Sequence, residues 1–242
     1  MTGNLSGKTV VVIGGASGIG FAVARLALDQ GAEVVIGSSQ QARVDAAVAK
    51  LGQGARGAAV DVIDEASVAG FFEQLGGLDH LAFTAGDWGA RGGPIGDLDI
   101  QAAGAAFAVR FWGAVAAVKH ASRTIAQDGS ITLTDGMYAH RPSKGGAISS
   151  AMLGAVEHLG RALAVDLAPV RVNVVCPGLV LTEVWNSIPE DRRAETLRRM
   201  TERQPVARAG DPAELAEAYL YLMRGGFTTG QVLQVNGGSS VV

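Results

Sequence analysis

The stretch Lys8-Thr-Val-Val-Val-Ile-Gly-Gly-Ala-Ser-Gly-Ile-Gly-Phe21 decides the fold. A continuous apolar run, Thr9–Ile13, reads as a strand covered on both faces. It ends at Gly14, and after a short glycine turn a helix begins near Gly18. Such a turn brings backbone close to a pyrophosphate, which the unpaired N–H groups of the helix start can hold. Gly14 permits the tight exit and Gly18 removes a side chain where phosphate approaches. Gly20 lets the helix pack on the sheet. Taken alone, the run is also compatible with a glycine-rich turn that holds no ligand.

Outward from this turn, strands and helices alternate. Further strands are expected at Glu33–Ile36, Ala58–Asp61, Leu78–Thr84, Ser130–Thr134, Arg171–Cys176 and Val232–Val235. Helices are expected at Gly18–Gln30, Ala42–Leu51, Ala66–Leu75, Ile100–Ala126, Ala147–Leu167, Pro189–Arg203 and Pro212–Met223. Asp211 serves as N-cap to the last, with Pro212 at its first position. This order predicts an α/β, doubly wound parallel sheet of seven strands with helices on both faces. The 242 residues form one domain, with no composition break.

The composition, 48% hydrophobic with a net charge of -3, offers no basic surface for nucleic acid. Arg192, Arg193, Arg198, Arg199 and Arg203 are interrupted by acids and read as a solvated helix face. Met1 to Lys8 carries no apolar targeting core, and the apolar helix Ala102 to Val118 holds Arg110 and reads as too short for a bilayer. Cys176 stands alone, so no disulfide or cysteine metal cluster is expected; the four histidines show no metal-ligand spacing. These features predict a cytoplasmic chain without metal.

Several separated segments resemble the short-chain dehydrogenase/reductase family, whose fold is Rossmann-type. The glycine run matches its Thr-Gly-x-x-x-Gly-x-Gly signature at Gly14, Gly18 and Gly20, with Ile13 in place of Thr. Asp61-Val62 resembles the adenine-contacting Asp-Val, and Leu81-Ala-Phe-Thr-Ala-Gly86 stands where Asn-Asn-Ala-Gly is common. Arg161-Ala-Leu-Ala-Val-Asp-Leu-Ala168, Arg171-Val-Asn-Val-Val-Cys-Pro-Gly178, Thr182 and Thr229-Gly-Gln-Val-Leu-Gln-Val-Asn-Gly-Gly238 also match. The resemblance spans nearly the whole chain. It implies a dinucleotide held by Gly14, Ser17, Gly18, Ile19, Gly20, Asp61, Val62, Ala85 and Gly86, with Pro177, Gly178, Val180 and Thr182 around the nicotinamide.

No acid closes the second strand, which runs Ile36-Gly-Ser-Ser-Gln-Gln-Ala-Arg43. An acid there would bind the ribose hydroxyls and repel a 2′-phosphate. Ser38 and Ser39, with Arg43 nearby, favour NADP over NAD, although Ser17 replaces the basic residue of many phosphate-preferring relatives.

The family's catalytic residues are missing in register. Its Tyr-x-x-x-Lys falls on Ser149 and Leu153, its Ser on Gly136 beside Asp135, and its Asn-x-x-Gly on Arg110-Phe-Trp-Gly113. His140-Arg-Pro-Ser-Lys144 has the Tyr-x-x-x-Lys spacing, but Pro142 takes it off a helix. The candidate catalytic groups are therefore Tyr138, His140, Asp135 and Arg110, with Tyr138 or His140 as proton donor. Arg110 is either a buried cation facing Asp135 or an anionic substrate, or a partly exposed helix arginine, the reading preferred on residue type.

Trp88, Phe107, Phe111, Trp112, Tyr138, Trp185 and Ile188 could wall an apolar small-molecule pocket, though several must be core. The expected activity is NADP-dependent reduction of a carbonyl or imine. The alternative is a catalytically inactive dinucleotide sensor or assembly protein. Apolar positions Phe107, Phe111, Val115 and Val118, with Met152, Val156, Leu159 and Leu163, suggest a homo-oligomer, a tetramer or dimer, unless the internal core accounts for them.

Overall fold

In the computed structural model, which describes residues 4–86 and 93–242, strand β1 (Thr9–Ile13) lies inside a sheet of seven parallel strands in the order β3-β2-β1-β4-β5-β6-β7. The others are β2 (Glu33–Ser38), β3 (Ala55–Ala59), β4 (Leu78–Phe83), β5 (Ile125–Thr134), β6 (Arg171–Pro177) and β7 (Val232–Val235). The chain winds from β1 through β2 to β3 on one side, then crosses to β4 on the other. A crevice therefore opens at the carboxyl ends of β1 and β4, the usual ligand position in such sheets.

The period-two alternation of a strand divides the core into two layers. Val11 and Ile13 face one cluster with Phe71, Leu81 and Val174; Val10 and Val12 face the other with Ala24, Ile36 and Tyr219. Helices α3 (Glu65–Leu75), α5 (Gly113–Ala121) and α6 (Ala147–Asp166) cover the first face. Helices α1 (Gly18–Asp29), α2 (Gln41–Leu51) and α8 (Pro212–Arg224) cover the second. Helix α4 (Ile100–Gly104) leads toward α5, and α7 (Glu190–Thr201) precedes α8. Asp211 caps α8 as expected: its Oδ1 accepts from Ala213 N at 2.8 Å, and Glu214 Oε2 accepts from Asp211 N at 2.8 Å.

Three expectations are corrected. Strand β3 starts earlier than the expected Ala58, because Ala55, Arg56 and Gly57 form a weakly apolar, partly exposed edge that carries little strand pattern. The helix expected over Ile100–Ala126 ends at Ala121, and β5 begins at Ile125 rather than Ser130. A register shift between Leu78 and His80 lets the polar stretch before Ser130 join the sheet. The helical segment Ile100–Ala121 has 22 residues and mean hydropathy 1.3, so length does not exclude a membrane span. Its buried Ala114, Ala117, Val118 and Ala121 join the first core cluster instead.

Part of the proposed oligomer face is also internal: Val118, Met152 and Val156 are buried, while Phe107, Phe111, Leu159 and Leu163 pack partly against the same cluster. On α7, Arg198 pairs with Glu195 at 2.7 Å, as a solvated face requires.

Candidate cofactor and active site

Backbone geometry at the end of β1 forms a cradle. Gly14 N donates to Gly37 O at 2.8 Å, and Thr84 Oγ1 donates to Ile13 O at 3.0 Å, joining β1 to both neighbouring strands. A Cβ on Gly20 would come within 2.3 Å of Gly14 O, so α1 can approach the turn only without a side chain there. Gly18 has φ +53°, in the left-handed region, and its N–H donates to Glu183 Oε2 at 2.9 Å. A carboxylate thus occupies the anion position that a helix start offers. This cradle, already holding an anionic oxygen, fits a dinucleotide diphosphate.

The cradle opens into a cleft of about 510 Å³. Gly14, Ser17, Gly18, Ile19 and Gly20 line its floor; Ser38, Ser39, Asp61 and Val62 line one end. Ala85, Gly86, Pro177 and Thr182 lie toward the other, with Arg110 and Asp135. Two of the proposed cofactor residues stand outside this lining. Gly178 packs against Asn236, whose Cα would be 2.7 Å from an added Cβ, and the carbonyl of Val180 accepts from the Trp185 indole at 2.8 Å. Arg43 also lines the cleft, and its guanidinium donates to Ser17 Oγ at 3.2 Å. A cation therefore stands beside the position where Ser17 replaces a basic residue.

At the far end, β5 delivers Asp135. Its N–H donates to Val175 O at 3.1 Å, which fixes the backbone, while the side chain is buried at 2% exposure. Among the described residues no donor is well aligned on either carboxyl oxygen, although the Glu157 carboxyl, the Cys176 thiol and the Gly136 N–H lie against it. Burial, and then the facing carboxyl of Glu157, hold Asp135 well above the ordinary carboxylate range. Asp135 thus places a carboxyl biased toward its protonated form in the lining of the cleft.

Arg110 is buried at 6% exposure, which corrects the partly exposed reading preferred from residue type. It lies in a π-helical turn, Ala108–Trp112, a wider turn often found at functional positions. Its guanidinium donates to the carbonyls of Asp135 at 3.1 Å and Thr134 at 3.5 Å. Gly86 makes room for it, since an added Cβ would meet Arg110 Nη2 at 2.1 Å.

The remaining candidates lie elsewhere. Tyr138 is exposed in the short turn Met137–Ala139 and does not line the cleft. His140 follows that turn and contacts Glu157, not the cleft. Lys144 precedes α6, so His140 and Lys144 do not share a helix. Leu153, at the expected Lys position, lies 3.5 Å from where a Gly136 side chain would begin. Trp112 is 61% exposed, and Trp88 lies outside the described residues. Glu157 escaped notice in the sequence because an acid on an amphipathic helix gives no sign of facing inward.

Spacing also failed to reveal that Asp135, His140, Glu157 and Cys176 place their ligating atoms within 4.8 Å of one another. They come from three different elements, so the tertiary fold, not local sequence, assembles them.

Comparison with known proteins agrees with this architecture. A family model described as Enoyl-(Acyl carrier protein) reductase matches residues 14–240. The chain is 36% identical to the short-chain dehydrogenase/reductase ucsE of Acremonium sp, over 98% of this chain and 97% of that protein. It is 35% identical to the cis-4-hydroxycyclohexanecarboxylate dehydrogenase of Sinomonas cyclohexanicum, over 97% of each. The MalC Reductase/Diels-Alderase from Malbranchea aurantiaca superposes with a TM-score of 0.93 at 32% identity, covering 100% of this chain and 99% of that one. A small-chain dehydrogenase in complex with NADPH has a TM-score of 0.83 at 34% identity, covering 97% and 99%. With this sheet order, this glycine cradle and these relatives, the chain belongs to the short-chain dehydrogenase/reductase family.

Proposed function

We propose that this protein is an NADP(H)-dependent oxidoreductase that reduces a carbonyl or imine in a small molecule, with Asp135 as proton donor in place of a tyrosine. The carrying observation is that the buried Asp135 carboxyl, unlike Tyr138 and His140, lines the same cleft as the glycine cradle. When bound, the reduced nicotinamide supplies a hydride. The chain's own groups bind, orient and protonate. The Gly18 amide region holds the diphosphate, and Arg43 with Ser38 and Ser39 takes the 2′-phosphate. Asp135 gives a proton to the substrate oxygen or nitrogen as its carbon is reduced. Arg110 fixes the Asp135 backbone and adds positive potential beside the reacting centre.

This assignment moves the donor from Tyr138 and His140, the sequence-based choices, to Asp135, because only Asp135 of the three lines the cleft. The activity test follows NADPH absorbance with a panel of aldehydes, ketones and cyclic imines. Turnover supports the assignment; tight NADPH binding without turnover across the panel would replace it with a sensor.

Cofactor choice is tested separately. Arg43→Ala should raise the Kd for NADPH roughly 10-fold, about the 1.5–3 kcal/mol range of a charged hydrogen bond discounted for exposure. The Kd for NADH should stay within about two-fold of wild type by the same reasoning. An equal loss for both coenzymes would remove Arg43 from phosphate recognition.

Glu183 gives a second test. Its carboxylate must leave Gly18 N before a diphosphate takes that place. Glu183→Gln should therefore tighten NADPH binding by a few-fold, a small effect because the group is exposed. Weaker binding in calorimetry would mean that Glu183 assists the cofactor rather than competing with it.

A further inference from the structure

Behind Asp135, titratable groups continue from the cleft to water. Glu157, in the middle of α6, is buried at 6% exposure. Its Oε1 lies 2.5 Å from His140 Nε2, and its Oε2 lies 3.6 Å from Arg161 Nη2. The His140 side chain is 28% exposed, so this end of the chain reaches solvent.

Glu157 has His140 and Arg161 beside it, whereas the buried Asp135 carboxyl facing it has no aligned donor, so a proton held between the two carboxyls, or a bound cation, would relieve their repulsion. Cys176 bears on that choice. Burial, and then Asp135, push its thiol well upward, so a metal ion would have to displace that proton in order to bind. Arg161 already supplies positive charge to Glu157 from outside. The surroundings therefore favour a shared proton over a metal ion.

We propose that Asp135, Glu157 and His140 form a proton relay from solvent to the cleft, in which Asp135 meets the substrate and the other two reload it. The inference rests on the reading of Asp135 as proton donor. In each cycle one O–H bond of Asp135 breaks as the substrate's new O–H or N–H bond forms. The resulting Asp135 carboxylate takes a proton through Glu157, which takes the one held by His140. His140 is then reprotonated from water. The charged and titratable groups around this path are Arg110, Arg161, Cys176 and Tyr219, and the Gln234 amide lies 3.4 Å from His140 Nε2.

The test combines turnover with a measurement on cofactor-free protein. His140→Ala should lower kcat roughly 10-fold, a fraction of the 10²–10⁴ attributed to a general acid. The NADPH Kd should be unchanged, and added imidazole should restore kcat, which a purely structural role would not allow. In cofactor-free protein the infrared C=O stretch of an un-ionised carboxyl should be present at neutral pH and absent in Asp135→Asn. It should shift or vanish in Glu157→Gln.

Wild-type kcat and pH profile in both relay variants would overturn the relay, as would a kcat in His140→Ala that imidazole fails to restore. So would an infrared band unmoved by Glu157→Gln, or a stoichiometric bound divalent metal ion in the purified protein. If wild-type protein binds NADPH yet reduces nothing, the oxidoreductase assignment fails. The infrared arm then still decides whether the proton is shared.

Discussion

Asp135→Asn is expected to lower turnover with NADPH by roughly 100-fold or more, the scale on which a positioned general acid contributes. NADPH affinity should change little, because the diphosphate is expected on the glycine turn and the 2′-phosphate on Arg43, Ser38 and Ser39, not on Asp135. The loss should fall on kcat, since a proton in flight is a transition-state interaction. Wild-type kcat in this variant would remove Asp135 from the chemistry.

The same substitution should make the protein more stable at neutral pH. Unfolded, the Asp135 carboxyl ionises near ~3.9. In the folded chain burial and Glu157 raise that value. Between the two values the native state holds a proton that the unfolded state has released. Stability contributed by this group is therefore complete below the unfolded value and is lost as pH rises through the folded one. Asn has no such dependence. The Tm advantage of Asp135→Asn should grow from about pH 4 through neutrality and level off only above the folded value, about 8. A Tm difference that is flat with pH would show that Asp135 is not held neutral.

The second large effect is expected from Gly20→Ala. Its new methyl would sit 2.3 Å from Gly14 O and 2.4 Å from Thr84 Oγ1. The first is backbone, so α1 must move away from β1 rather than a side chain turning aside. Overpacking of this kind costs about 1–3 kcal/mol. The displaced helix start also takes Gly18 N out of place, so NADPH affinity should fall by more than about 10-fold, as for a lost charged hydrogen bond. Gly70→Ala is a suitable control: nothing lies within 4 Å of its added Cβ. On a helix such as α3 that change should raise stability by up to about 1 kcal/mol. Denaturant unfolding and calorimetry on the two variants decide the matter. Wild-type binding by Gly20→Ala would contradict the tight packing of α1 on the turn.

Most of the architecture was legible because buried parallel strands write themselves as continuous apolar runs. β1 is of this kind, while β4 and β6 keep enough Leu, Val and Phe around Asp79, His80 and Asn173 to be read as buried strands. β3 was displaced because an edge strand of Ala, Arg and Gly lacks that signal. The cradle glycines were readable for a similar reason, since each answers a local backbone need. The reacting end was less so. Asp135 and Arg110 were identifiable only as departures from the family's register, and their burial could not be read from residue type. Glu157 sits one turn beyond Leu153 on α6. Its inward direction depends on Asp135 and His140 arriving from another part of the chain.

The wide turn at Ala108–Trp112 has a consequence for how such a pocket can change. Because its hydrogen bonds span one residue more than those of the helix around it, it offsets the angular phase of everything upstream relative to α5. The inner half, Gly113–Ala121, stays locked to α3 and the sheet. The residues of the turn itself, Val109 and Arg110, line the cleft, so a return to ordinary helical phase there would swing both out of it while leaving α5 seated.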